Sequence, residues 1–336
     1  MGAASALGAV SAVVDEVLEG SVAGSFSRVG YEVRRRLGDW SEPAAMPGRS
    51  VMVTGATSGL GFEAALSFAR LGAAVTILGR DQGRSEEACR SIAERSGRGR
   101  VDFVVADMAD LDSIRRAATA YCDQHETLDV LVHNAGMLTR EYQQAPGSGV
   151  ELTAAVHVLG PFLLTGLLLP TLRRAAAETT HPARVLTVSS GGMYLQRFDL
   201  DRLDAGPTGF DGPGAYARAK RAQVVLGHAW ADRVDPREVV FQTMHPGWAD
   251  TPGVRSSLPA FYRLTRPILR TPAQGVDTLV WLAQAPEAEV RSGAFWLDRR
   301  ARGEHRWPGT RPSDPDEERT RLWQWCSERS GWSLPA

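Results

Sequence analysis

Ser50-Val51-Met52-Val53-Thr54-Gly55-Ala56-Thr57-Ser58-Gly59-Leu60-Gly61 decides how the rest of the chain is read. An apolar, β-prone run ends at Thr54, a glycine-rich turn follows, and residues 59–71 have helical character. Glycines in such a turn let the backbone bend tightly and approach a pyrophosphate, which then rests on the N-terminus of the helix. The spacing is G-x-x-x-G-x-G, and its place between a strand and a helix gives it weight.

Working outward, further strands are expected at about 74–79, 101–106, 129–133, 184–189, 238–244 and 293–297. Helical stretches lie near 82–95, 112–125, 149–175, 214–233 and 273–284. Strands rich in Val, Ile and Leu that alternate with helices imply a parallel sheet covered on both faces. The expected fold class is α/β: a single doubly wound, Rossmann-type parallel sheet of about seven strands with helices on both faces. Residues 1–48 read as a helical extension and linker, 49–300 as the nucleotide-binding domain, and 301–336 as a tail with a short helix.

Composition sets limits. With 43% hydrophobic residues and a formal net charge of -1, the chain can bury a large core and lacks the basic surplus of a nucleic-acid binder. Cys89, Cys122 and Cys326 show no zinc or disulfide spacing, so a reducing, cytoplasmic setting and no metal are expected. Residues 1–24 carry Asp15, Glu16 and Glu19 and no basic run before the apolar stretch, which argues against a signal peptide or membrane span. Residues 26–40 space Phe26, Val29, Val33, Leu37 and Trp40 as one face of a helix beside Arg34-Arg35-Arg36. That helix packs on the body or on a second subunit, or it touches a membrane surface.

The cations are lopsided: 37 arginines and one lysine. The lysine is Lys220, four residues after Tyr216, so both can share one helix face. A compact ammonium near a phenol favours the phenolate, and a phenol tuned toward neutrality is a usable general acid or base.

Thr54-Gly55-x-x-x-Gly59-x-Gly61, Asn134-Ala135-Gly136, Val188-Ser189-Ser190, Tyr216-x-x-x-Lys220 and Pro246-Gly247 follow one another in order. In these elements, over about residues 49–300, the chain resembles the short-chain dehydrogenase/reductase family. A narrower likeness, to one group within it, lies in Ser189-Ser190-Gly191-Gly192-Met193, Phe210-Asp211-Gly212 and His245–Arg255.

The resemblance implies an NADP(H)- or NAD-dependent enzyme acting on a small-molecule carbonyl or alcohol, commonly as a homo-oligomer. Tyr216 would exchange a proton with the substrate oxygen, Ser190 would hold that oxygen, and Lys220 would lower the phenol's pKa and bind the nicotinamide ribose. Ser190 is preferred to Ser189 because alternation turns Ser189 to the other side of the strand. Gly55, Thr57, Ser58, Gly59, Leu60 and Gly61 would hold the pyrophosphate. Asp107 and Met108 would lie on the adenine side. Asn134, Ala135 and Gly136 would line the central crevice, and Pro246, Gly247 and Thr251 would orient the carboxamide.

Where relatives have an asparagine on the fourth helix, this chain has His157. It is either a proton relay or a core histidine bonded to a backbone carbonyl. At the end of the second strand, Gly79-Arg80 offers no acid for a ribose 2′-hydroxyl and a guanidinium for a 2′-phosphate, so NADP(H) is expected over NAD. The 26-residue interval from Ser190 to Tyr216 is long and reads as a substrate-pocket wall carrying Tyr194, Phe198 and Phe210, or as a structural flap. Residues 252–270 stand where the resembled family keeps its substrate lid; their apolar side chains read as a lid over a lipophilic substrate, or as a helix packed on the core or a partner. The tail's Leu322, Trp323 and Trp325 suggest a helix laid on the body. Alternatives to the oxidoreductase are a sugar-nucleotide epimerase or dehydratase, and a non-catalytic NADP-binding sensor.

Overall fold

A computed structural model describes residues 12–289, 291–306, 310 and 316–335. The readings placed on residues 1–11, and on residues 307–309 and 311–315 of the tail, therefore lie outside the described residues. Eight strands form one sheet in the order β3-β2-β1-β4-β5-β6-β7-β8. They are β1 Ser50–Thr54, β2 Ala74–Gly79, β3 Val101–Val105, β4 Val130–His133, β5 Ala183–Val188, β6 Val239–Met244, β7 Phe295–Leu297 and β8 Arg300–Ala301. The first seven are parallel neighbours, with Val53 opposite Ile77 on one side and Val132 on the other. The expectation of seven strands misses β8, which turns back antiparallel on β7 through Asp298 and Arg299, both at positive φ.

Two cores sandwich the sheet. One packs Ile114, Phe162, Leu168 and Val225 from three helices; the other packs Leu66, Phe68, Ile92 and Leu279 from three more. Every strand of the parallel set is buried except β3 at the edge, which is why the strands read as continuous apolar runs. Leu152–Glu178 is long and apolar enough to cross a membrane, but it is mostly buried and serves as the core helix behind β4 and β5. Strand order reverses between β1 and β4, and there the C-terminal ends of the strands open a crevice.

The N-terminal helix Arg28–Leu37 lies on the body, with Tyr31 and Arg34 turned inward and Val29 and Leu37 outward. Arg34 is the buried member of the basic triplet. It donates to Asp15, Glu19 and Asp298, and Asp298 is shared with buried Arg270. The long insertion packs Tyr194 and Phe198 into the cores, and Phe210 against Tyr142. None of the three lines the large crevice. The C-terminal helix Asp316–Ser330 buries Leu322 and Cys326 and sets Trp323 against Phe162 and Trp230.

Candidate active site

The glycine turn takes its shape from its neighbours. Gly55 and Gly59 have positive φ, and a Cβ on Gly55 would stand 2.7 Å from the Ala135 Cα. Asn134 locks the turn: its Nδ2 donates to the carbonyls of Thr54 and Gly55, while its own N–H and that of Ala135 donate to Thr54 Oγ1. Ser58 makes no capping bond to the helix Gly59–Arg70, leaving that N-terminus free to receive an anion.

This turn forms one side of a crevice of about 660 Å³. Gly55, Thr57, Ser58, Gly59, Leu60, Arg80, Asp107, Met108, Asn134, Ala135, Gly136 and Thr251 all line it. Gly61 does not; a Cβ there would stand 2.3 Å from Asn134 Nδ2, so its smallness serves helix–strand packing. Pro246, Gly247, Ser190, Tyr216 and Lys220 also lie outside the lining. Val156 connects the two regions: it lines the crevice one residue before His157, whose ring stands edge-on to Tyr216 with centroids 5.5 Å apart.

Gly79 leaves no room for an acid, since a Cβ would meet Ser85 Oγ at 2.4 Å. Asp81 is committed elsewhere, capping the helix Gln82–Ser96 by accepting from the Arg84 N–H at 2.8 Å. Arg84 lines the crevice beside Arg80, and among the described residues neither guanidinium has an ion-pair partner. Sequence reasoning passed over Arg84, although its place in the first turn after β2 was a usable signal. Met137, Gln143 and Gln144 also line the crevice and carry no comparable signature.

Tyr216 and Lys220 share one face of the helix Gly212–Ala231, with the ammonium 5.5 Å from the ring centroid. Ser190, just past the end of β5, is the one neighbour that pulls the Tyr216 phenol toward the acidic side. Ser189 turns the other way and donates to the Lys220 carbonyl at 2.9 Å. Lys220 Nζ donates to the Val188 carbonyl at 2.8 Å and to Gln223 Oε1 at 3.2 Å. Burial of the phenol opposes the acidifying effect expected of Lys220. It holds the phenol above its ordinary value, with Ser190 pulling the other way. Lys220 is itself buried, which brings its amine down to about 7.

His157 sits in a single π-helical turn, Ala155–Leu159, and is fully buried. Its Nδ1–H donates to the Thr153 carbonyl at 2.8 Å, and its Nε2 accepts from the Met137 N–H at 3.3 Å. Both nitrogens are used, and burial and Lys220 hold the imidazole neutral. The bond to the Thr153 carbonyl is the contact that the core-histidine alternative describes. It is the His157 carbonyl that communicates with Lys220, through the Gln223 side-chain amide at 3.0 Å.

A doubly wound sheet, a bare helix N-terminus at its switch point and a serine–tyrosine–lysine cluster behind it define a dinucleotide-dependent oxidoreductase architecture. The short chain dehydrogenase family model matches residues 49–260, and the chain belongs to that family. It is similar to Dehydrogenase/reductase SDR family member 12 of Bos taurus, 40% identical over 274 residues, covering 81% of this chain and 84% of the relative. This is the group that the segments around Ser190, Phe210 and His245 resemble. Polyprenol dehydrogenase of Mus musculus is 35% identical over 282 residues, covering 79% and 81% of the two chains. Among solved structures, the RhlG/NADP active-site complex of Pseudomonas aeruginosa matches with a TM-score of 0.62 at 25% identity, covering 76% of this chain and 96% of that one.

Proposed function

We propose that this protein is an NADP(H)-dependent oxidoreductase that moves hydride between a nicotinamide and a carbonyl or alcohol, with Tyr216 as general acid and base. The observation that carries this reading is Tyr216 and Lys220 on one helix face, the buried amine 5.5 Å from the phenol ring centroid, with Ser190 just past the end of β5. A bound nicotinamide would supply or accept the hydride. A phenol held above its ordinary value keeps its proton at neutral pH, which suits donation to an alkoxide forming on a reduced carbonyl. Ser190 would donate to the same oxygen and stabilise its charge. Lys220, brought down to about 7, gains or loses a proton at little cost and steadies the phenolate that remains.

NADP(H) is favoured by Gly79, which excludes an acid, and by Arg80 and Arg84, two unpaired guanidiniums at the ribose end of the crevice. A lipophilic substrate is favoured by Leu258 and Leu264, the latter 83% exposed, on the two short helices Pro252–Ser257 and Pro259–Thr265 and the turn between them. The likeness to a polyprenol dehydrogenase points the same way. The test is NADPH absorbance across a panel of aldehydes and ketones, with Tyr216→Phe as control. Turnover undiminished in that variant refutes the mechanism. No turnover by the wild type, with NADP binding retained, favours the sensor.

A further inference from the structure

Phe26 belongs to the N-terminal arm, far from the active-site motifs in sequence, yet it sits among them. Its ring stands edge-on to His245 with centroids 4.4 Å apart, and it also meets Tyr194 and Trp248. Gly191, the residue after Ser190, has no space for a side chain because of it: a Cβ would lie 2.7 Å from Phe26 Cε2 and 2.9 Å from His245 Nε2. The Phe26 carbonyl accepts from the Trp248 N–H at 2.7 Å and from Arg270 Nε at 3.0 Å. The Arg306 guanidinium lies over the outer face of the ring, 4.7 Å from its centroid.

One side chain therefore touches both loops that frame the candidate active site. One loop carries Ser190 at its start; the other is His245-Pro246-Gly247-Trp248, in which Gly247 has a positive φ. Backbone bonds from the His245 N–H to the Trp296 carbonyl and from the Arg270 N–H to the Trp248 carbonyl hold the ends of that loop, while the His245 ring, with no hydrogen-bond partner on either nitrogen among the described residues, is placed by ring packing. Ser190 is held locally by the turn that follows it: the Gly192 N–H donates to its Oγ at 3.3 Å and the Met193 N–H to its carbonyl at 3.1 Å.

We infer that Phe26 is a positioning residue: the N-terminal arm sets the Ser190 hydroxyl against Tyr216 by wedging Phe26 between the Ser190 loop and the His245–Trp248 loop. The inference rests on the oxidoreductase reading only for its kinetic consequence. Its structural consequence is independent of that reading, so the two can fail separately.

The experiment uses the full chain and compares wild type, Phe26→Ala, Phe26→Leu and Val29→Ala, the last on the outward face of the arm. Hydrogen exchange is measured without cofactor, and kcat and KM for NADPH are measured with an aldehyde or ketone that the wild type reduces. In Phe26→Ala, exchange should quicken at Gly192, Met193 and Trp248 and stay unchanged at Thr57–Gly61. Its kcat should fall about 10- to 100-fold, as misplacement of a reacting group by about 1 Å does, with KM for NADPH within about twofold. Phe26→Leu should recover most of both losses, and Val29→Ala should match the wild type.

Unchanged exchange at those three amides overturns the inference. So does faster exchange spread evenly over the sheet, or a Phe26→Leu variant as impaired as Phe26→Ala. If the wild type reduces no carbonyl, the function proposal falls and the exchange pattern alone decides this one.

Discussion

Replacing Asp298 by asparagine removes one negative charge from the junction of arm and body and changes almost nothing else. The carboxylate is fully buried and accepts from Arg34 Nη1 at 2.7 Å, Arg270 Nη1 at 2.6 Å and Arg270 Nη2 at 2.9 Å. Its φ of +53° lies in the left-handed region, which asparagine tolerates, so backbone strain does not confuse the result. The amide would offer one acceptor oxygen and turn an NH₂ toward guanidinium donors. Losing two charge-assisted bonds at about 1.5–3 kcal/mol each, or one partner of a buried ion pair at about 3–5 kcal/mol, leads to the same size of effect. Against a total stability of about 5–15 kcal/mol, that is a large fraction. Urea unfolding followed by tryptophan fluorescence measures it. Asp298→Ala should cost more, because alanine is strained at positive φ. Arg34→Met should cost less in the Asp298→Asn background than alone, since the two residues are in contact. A loss under about 1 kcal/mol for Asp298→Asn, the level of a surface pair, would refute the reasoning.

Arg80→Ala and Arg84→Ala should each raise KM for NADP about 10-fold or more and leave KM for NAD within about twofold, read by cofactor titration in the turnover assay. Gly79→Asp should destabilise the protein and not convert it to NAD use, because the new Cβ meets Ser85 Oγ at 2.4 Å; a stable, NAD-preferring variant would contradict this. Tyr216→Phe should lower kcat by about 10²–10⁴-fold with NADP binding retained, measured by turnover and by thermal protection. Stability should fall on acidification. His157 and His245 are held well below the ordinary histidine value and His133 is brought down to about 3, all mainly by burial. These rings stay neutral when folded and take up protons when unfolded, so their contribution is complete above about pH 6.5 and is lost as pH falls toward 3. The slope is up to about 1.4 kcal/mol per pH unit for each ring. A flat unfolding midpoint between pH 7 and 5 would disprove it.

Much of this molecule was legible in order along the chain. Runs of Val, Ile and Leu mark buried parallel strands because both faces of such strands are covered, and the bounds of β1 and β2 follow directly. The tyrosine and lysine share a face because four residues make about one helical turn. What was not legible depends on partners distant in sequence. β8 is two residues long and has no pattern of its own. Arg34 is indistinguishable from Arg35 and Arg36 until Asp298 appears opposite it. That the Lys220 amine also donates to Val188 and Gln223 shows only once β5 and the helix are brought together. His157 in a π-helical turn, and Phe26 beneath Gly191, are consequences of packing that no periodicity records.

The solitary lysine is 4% exposed. All other side-chain positive charge on this molecule is guanidinium, which mild acylating reagents leave untouched. Lys220 is therefore a built-in reporter. An activated ester can modify it only when the helix carrying it parts from β5, so the rate of adduct formation, followed by mass spectrometry, is a clock for how often the catalytic centre breathes.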